Sequence, residues 1–290
     1  MARRRPHIDP GGVRRLLLSD DAAAVTPFPT ARRPTYDAAL AADPTDGGAD
    51  EDRTTLEALA GARIAQIGEV LYGSNAVFLV EFDADDPEMP DTRMRAIYKP
   101  ARGERPLWDF PRRTLFLREA ATFLVDAALG FGRVPPTVVR DGPLGPGSMQ
   151  LFVHAIERRF RDLDTTALER QLREIAALDV LVNNADRKRA HLLVTRNGRI
   201  RAIDNALTFL PYPRQRTALI DLGGSELPEQ TAAAVRALNA PAERQLLIAR
   251  LERLLAPYEV DAFRHRLDEL ASDPVYPVLD DWDGRPFEWW

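Results

Sequence analysis

A chain of 290 residues, 45% apolar and 29% charged, is long enough for one large hydrophobic core or two modest ones and has the composition of an ordinary globular protein. Its 39 Lys and Arg against 44 Asp and Glu leave a net charge of −5, so no broad positive field marks it for nucleic acid. It has no cysteine, which excludes disulfides, thiolate metal sites and cysteine nucleophiles and fits a reducing compartment.

The N-terminus carries Arg3-Arg4-Arg5, and the apolar run from Val13 to Leu18 is broken by Arg14 and Arg15, so it cannot serve as a signal-peptide core. No window approaches the roughly 18 uncharged apolar residues of a membrane span. A cytoplasmic protein with at most peripheral membrane contact is expected. Residues 1–50 are rich in Ala, Asp, Pro, Gly and Thr without apolar periodicity and read as a flexible tail.

From Ile64 the pattern turns to strands. Ile64 to Leu71 and Ala76 to Phe82 flank a turn at Tyr72-Gly73-Ser74-Asn75, and Met94 to Tyr98 adds a third strand leading into Lys99-Pro100. Pro111 to Leu129 is expected to be a helix, with Phe116, Ala120, Phe123, Leu124 and Ala127 on one face and Gly130 and Gly132 ending it. Two further strands follow at Val134 to Val139 and Met149 to Val153. Thr166 with Glu169 reads as a capping box opening a helix with Leu168, Leu172, Ile175, Ala176 and Val182 on its apolar face. A hairpin around Asn197-Gly198 comes next, then one helical stripe from Leu247 through Leu270. This order predicts a small α+β lobe over 51–153, a crossing strand and a mainly helical lobe over 154–290, with ligands between them.

The chemistry concentrates in Asn184-Ala185-Asp186-Arg187 and in Ala202-Ile203-Asp204-Asn205, on either side of the hairpin. A loop acid to orient a hydroxyl and a strand-end acid to grip a metal on a triphosphate is a layout suited to phosphoryl transfer. Asp186 is the expected orienting residue, with Arg187 beside it as a fixed positive charge. Asn and Asp also favour loops that satisfy their own backbone, so either acid alone carries little. Lys99, at a strand exit with Glu119 on the next helix, reads either as a phosphate-directed ammonium or as half of an exposed ion pair. Gly73, Ser74 and Asn75 read as a phosphate-covering loop or a plain hairpin turn. Gln150, Phe152 and Val153 read as a strand offering main-chain groups to adenine or as an ordinary buried strand. For His191 a metal ligand, a phosphate contact and a structural role all remain open, since imidazole is a less natural partner for Mg²⁺ than oxygen.

Together these residues resemble the phosphatidylinositol 3/4-kinase superfamily, most closely the type II phosphatidylinositol 4-kinases and a bacterial, actinobacterial branch of kinase-like proteins. The similar segments are Tyr98-Lys99-Pro100, Gly103-Glu104-Arg105-Pro106, Arg118-Glu119-Ala120-Ala121, Gly147 to Val153, Asn184 to Arg187 and Ala202 to Phe209, in family order. The resemblance implies an α+β, bilobal protein-kinase-like fold with a small β-rich N-lobe and a mainly helical C-lobe. It also implies ATP and Mg²⁺ or Mn²⁺, with Lys99 on the phosphates, Glu119 as its partner, Gln150 to Val153 as hinge, Asp186 catalytic and Asp204 on the metal. Two positions depart from the family: His191 stands where it has a metal-binding Asn, and the cysteine-rich segment that is palmitoylated in eukaryotic type II enzymes is missing.

The expected function is an ATP- and metal-dependent phosphotransferase whose acceptor hydroxyl, on a lipid headgroup, polyol or protein, is unknown. The alternative, motivated by His191, is a nucleotide-binding pseudokinase acting as a regulatory interaction module. Asp281 to Trp290, rich in Trp, reads as a clamp on the helical lobe or as an exposed partner-binding tag.

Overall fold

The computed structural model describes residues 13–16, 50–70, 75–83, 94–156 and 165–287, with backbone alone at 13–16, 50–52 and 165–167. Most of the expected tail, the turn residues Gly73 and Ser74, the capping side chain of Thr166 and the terminal Trp289-Trp290 lie outside the described residues and side chains. The chain divides into two compact units. The first gathers the described residues up to Phe116 together with Pro136–Phe152; the second comprises Leu117–Pro135 and the described residues from Val153 onward.

The first unit is a six-stranded antiparallel sheet. Its strands are β1 (Val13–Leu16), β2 (Ile64–Val70), β3 (Val77–Phe82), β4 (Arg95–Pro100), β5 (Thr137–Gly142) and β6 (Gly145–Leu151), in the order β1-β2-β3-β4-β6-β5. Side chains alternate faces along a strand, so Phe78, Val80 and Phe82 of β3 line up with Ala96 and Tyr98 of β4 on one buried side. Helix α1 (Asp50–Gly61) covers that side through Leu59, which is wholly buried against Ile67, Val138 and Met149. Arg140 closes the helix end by donating to the carbonyls of Leu59 and Ala62 at 3.0 and 2.9 Å, oxygens that have no partner inside the helix.

The expected strands at 134–139 and 149–153 are displaced into a tighter hairpin. Pro135 and Pro136 have no N–H for a ladder, so the strand begins only at Thr137. Gly142 and Gly147 let the backbone pass the Tyr98 ring: a Cβ on Gly147 would lie 2.6 Å from it. The Tyr98 hydroxyl donates to the Gly145 carbonyl, and burial pushes its phenol well above the ordinary range.

Helix α2 (Leu115–Leu129) starts later than Pro111, because Phe116 N–H is received by Glu104 Oε1 at 2.9 Å and the Pro111–Thr114 stretch forms a separate turn. From Leu117 on, α2 groups with the helical unit and not with the sheet. Gly130, at φ 68°, ends it as expected. Helix α3 (Thr165–Val182) buries Leu168, Leu172 and Ile175 against the hairpin β7 (Leu192–Val194) and β8 (Ile200–Ala202). Glu169 pairs with Arg173 at 2.9 Å, one turn along the same helix.

Three helices follow: α4 (Glu229–Leu238), α5 (Pro241–Leu251) and α6 (Pro257–Ser272). The single stripe expected from Leu247 to Leu270 is therefore two helices. Pro257 cannot continue a preceding helix but fits the first turn of a new one, and Leu254 and Leu255 are buried in the link. The C-terminal segment docks on the Arg216–Thr217 stretch: Thr217 N–H donates to Gly284 O at 2.8 Å, Arg216 Nε donates to Asp283 O, and the Arg216 guanidinium lies 5.1 Å from the Phe287 ring centre. Among the described residues no helix is long and apolar enough to cross a membrane.

Leu59→Ala should lower unfolding stability by about 2–5 kcal/mol, the usual cost of emptying a buried leucine site. Chemical denaturation followed by circular dichroism measures it, and a loss below about 1 kcal/mol would mean α1 is not a working part of the core.

Candidate active site

The loop bearing Asp186 begins where α3 stops. Asn183 takes the left-handed conformation at φ 50°, the usual way to leave a helix without glycine. Its amide nitrogen donates to the carbonyls of Leu210 and Tyr212 at 2.9 and 2.7 Å, and its Oδ1 receives Arg214 N–H at 3.0 Å. Asn184 then donates from Nδ2 to Asp179 Oδ1 and accepts Asp186 N–H on its own Oδ1, each at 3.0 Å. The two asparagines thus set the path of the loop. They leave the Asp186 carboxylate partly buried and 2.8 Å from Lys188 Nζ. Burial raises the pKa of Asp186 above the ordinary aspartate value; Lys188 counteracts this through a hydrogen bond and its charge, and the nearby charge of Asp204 adds to the rise.

Arg187 is not a charge open to the loop. It is wholly buried, with Nε 2.9 Å from Asp179 Oδ2 and Nη2 2.9 Å from Asp179 Oδ1. Nη1 donates to the Ile203 carbonyl at 2.8 Å and Nη2 also donates to Asn205 Oδ1 at 2.6 Å. Its backbone joins the Arg216–Ala218 stretch through Arg187 N–H to Arg216 O and Ala218 N–H to Arg187 O. A planar guanidinium satisfies helix, loop and strand end together, as a flexible ammonium cannot.

Asp204 lies between two of those ties. Its φ is 56°, a strained conformation for a residue with a side chain. The neighbours hold it there: Ile203 N–H donates to His191 O at 2.9 Å, and Asn205 N–H donates to Glu119 Oε2 at 3.0 Å. Asn205 Nδ2 closes the turn on Ala202 O at 3.1 Å. The Asp204 side chain is left 49% exposed. His191 is buried beside it, with Nε2 3.4 Å from Asp204 Oδ2 and Nδ1 3.4 Å from Lys188 N–H. One ring nitrogen thus faces each neighbour, and the imidazole stands directly beside the Asp204 carboxylate.

The remaining expected residues divide between the units. Lys99 sits within β4, in register with Ser148. Gln150 is buried in β6 and donates from Nε2 to Thr137 Oγ1 at 2.9 Å. Phe152 N–H donates to Arg95 O at 2.9 Å, so that donor is committed to the sheet and is not available to an adenine edge. Asn75 Oδ1 accepts Arg105 N–H at 2.8 Å. Val153 and Glu119 belong to the second unit, where Glu119 is buried and anchors the Asp204 turn.

Sequence reading missed Asp179 and Lys188, and it gave no role to Asn184 and Asn205 within the two motifs that contain them. Asp179 carried a signal: it follows Ile175 and precedes Val182 on the buried face of α3, and an acid on such a face requires a partner. Lys188 was hidden in the basic run Arg187-Lys188-Arg189. Among the described residues no three acidic, histidine or cysteine side chains converge into a ready metal cage. Arg187 ties the Asp186 loop to the residues on both sides of Asp204, so two acidic residues come to neighbouring turns, and carboxylate oxygens suit Mg²⁺ or Mn²⁺ held jointly with phosphates.

No family model matches the chain. It is 33% identical over 266 residues to Protein Rv2133c of Mycobacterium tuberculosis (strain ATCC 25618 / H37Rv), covering 80% of this chain and 93% of that one. Among solved structures, hydra Fam20 with sugar superposes at a TM-score of 0.55 and 17% identity over 78% of this chain and 88% of its own. The architecture is thus α+β and kinase-like, with a β-rich first unit and a mainly helical second. The Helicobacter pylori proinflammatory kinase CtkA matches at a TM-score of 0.46 and 10% identity, over 71% of this chain and 90% of its own.

Removing Asp179 leaves a buried, unpaired guanidinium, so Asp179→Ala should cost about 3–5 kcal/mol of stability. Arg187→Lys should also destabilise, because an ammonium cannot make the same fork of bonds. Thermal melts of both variants read the effect; a wild-type midpoint in both would remove Arg187 as the organiser of the loop.

Proposed function

Because the chain belongs to the family of Protein Rv2133c and folds as a kinase-like protein, we propose that it is an ATP- and metal-dependent phosphotransferase. The observation that supports this most is that buried Arg187, next to Asp186 in the chain, binds the residues on both sides of Asp204 and so brings the two acidic residues' loops together. Asp186 orients the acceptor hydroxyl and receives its proton as the hydroxyl oxygen bonds to the γ-phosphorus and the bond to the β-γ bridging oxygen breaks. Lys188, on Asp186, opposes the rise that burial imposes on that carboxylate's pKa and places a positive charge where the transferred group carries negative charge.

Asp204 would hold the divalent ion. That ion supplies neutralisation of the triphosphate when bound. His191 and Glu119 position Asp204 from behind and from its following peptide. Arg187 positions and does not touch substrate. Lys99 is assigned to the phosphates, and the main chain at Val153, beyond the committed Phe152 N–H, to the adenine side, from the likeness to the phosphatidylinositol 3/4-kinase superfamily. Membership of that superfamily is part of the proposal. A second reading, nucleotide binding without turnover, is favoured by one feature: His191 stands where that superfamily has a metal-binding Asn.

Purified protein with ATP and Mg²⁺ or Mn²⁺ should release ADP in the presence of a suitable acceptor from a panel of inositol lipids, polyols and proteins. Asp186→Ala should lose about 10²–10⁴-fold in rate while still binding nucleotide. Saturable nucleotide binding with no turnover on any acceptor would establish the second reading, and an Asp186→Ala rate equal to wild type would remove Asp186 from the mechanism.

Burial already holds the pKa of Asp186 above that of a free aspartate, and Lys188 is the main group opposing the rise. Taking away Lys188 therefore raises it further. In a kcat/KM profile, Lys188→Met should move the acid limb to higher pH as well as lowering the plateau. A limb that stays in place would separate Lys188 from the titration of Asp186.

A further inference from the structure

Residues 101–115, which link β4 to α2, surround a concavity of about 180 Å³ within the first unit. Four arginines line it, Arg102, Arg105, Arg112 and Arg113, together with Leu107 and Phe110. Among the described residues, none of these four guanidiniums has an ion pair or a side-chain hydrogen bond. The contrast with the rest of the unit is sharp. Arg53 meets Glu57, Arg63 meets Asp83, Arg95 meets Glu81, and Arg140 closes the end of α1. Glu104, the acid on the wall, already accepts Phe116 N–H at the start of α2.

In a chain of net charge −5 this concentration is local, not a by-product of overall basicity. Four like charges around one small hollow repel each other, and an anion inside it relieves them all at once. The backbone is strained here as well: Arg113 has φ 60°, beside the turn that Thr114 Oγ1 closes on Pro111 O at 2.6 Å. Non-glycine residues held in this region cluster at ligand clamps. The volume sets the size of the guest. Pockets for whole drug-sized ligands run to roughly 300–1,000 Å³, whereas this one suits a single phosphate or diphosphate group with the rest of the ligand outside.

We propose that this arginine-lined hollow binds the phosphate group of a phosphorylated ligand, separately from any nucleotide. Guanidiniums match phosphate oxygens by paired N–H donation, and four of them select a dianion over a carboxylate. None of Lys99, Asp186 or Asp204 lines the hollow, so the proposal does not rest on phosphotransfer. A phosphomonoester could arrive on a free sugar or inositol phosphate or on a lipid headgroup. Trp108, next to the lining Leu107 and 86% exposed, is suited to lie on a ring or at a bilayer interface.

Calorimetric titration of the full chain with sodium pyrophosphate, and with a soluble inositol phosphate, without nucleotide, tests this. Saturable binding is expected, weakening between about 50 and 300 mM NaCl as screening shortens the reach of the charges. Arg105→Ala combined with Arg112→Ala should weaken it at least about tenfold, as loss of two phosphate contacts would. Arg236→Ala, a paired arginine on α4, should leave it unchanged, and so should Lys99→Ala. Flotation with phosphatidylcholine vesicles, with and without a phosphatidylinositol phosphate, distinguishes the sources. Capture that needs the phospholipid and fails in the double variant assigns a headgroup; binding of soluble ligand alone assigns a free phosphate ester. Absence of pyrophosphate binding up to about 5 mM, well above millimolar affinity, overturns the proposal. Equal binding by the double variant, or binding abolished by Lys99→Ala, overturns it too.

Discussion

The buried pairing of Arg187 with Asp179 is the constraint on which the Asp186 loop and the Asp204 turn of the second unit depend. Taking a guanidinium fully out of water costs several kcal/mol, and the cost is offset only when nearly every N–H meets an acceptor of good geometry. Here the acceptors are a helix carboxylate, a strand-end carbonyl and an asparagine oxygen. Those three belong to α3, to the end of β8 and to the turn after it. Satisfying one charge therefore fixes the distance between the Asp186 loop and the Asp204 turn.

Around this tie the backbone departs from its comfortable regions at Asn183, Asp204 and Phe209. Each such residue costs of order 1–3 kcal/mol and persists only where the surroundings over-determine it. Asn183 is fixed by three hydrogen bonds of its own side chain, and Phe209 by burial, Phe263 and a bond from its N–H to Val182 O. Asp204 is fixed through its neighbours, and its carboxylate lies half-exposed beside His191.

Much of this was legible locally. The β2–β3 hairpin, the helical face of α2, its glycine end and the β7–β8 hairpin follow from apolar period and turn chemistry, which act within a few residues. The split of the last helical stripe at Pro257 also had a local cause, since proline favours a first turn over an interior. The shift of β5 past Pro135 and Pro136 was equally readable. What sequence could not supply was which polar side chain faces which. Arg187 looked like a loop charge because its partners lie on α3 and in the turn after β8; Lys188 looked like part of a basic run because its partner, Asp186, matters only once the loop is folded.

The order of elements from β2 to the β7–β8 hairpin and the placing of acids on either side of that hairpin were determined by the sequence alone, because periodicity, proline and glycine act through neighbouring residues; β1, α1 and α4 were not read from it. The pairing of Asp179 with Arg187, the support of Asp204 by His191 and Glu119, and the gathering of unpaired arginines between β4 and α2 were decided only by tertiary structure. Charges and hydrogen bonds are matched across space, and which of them meet depends on packing that no local pattern encodes.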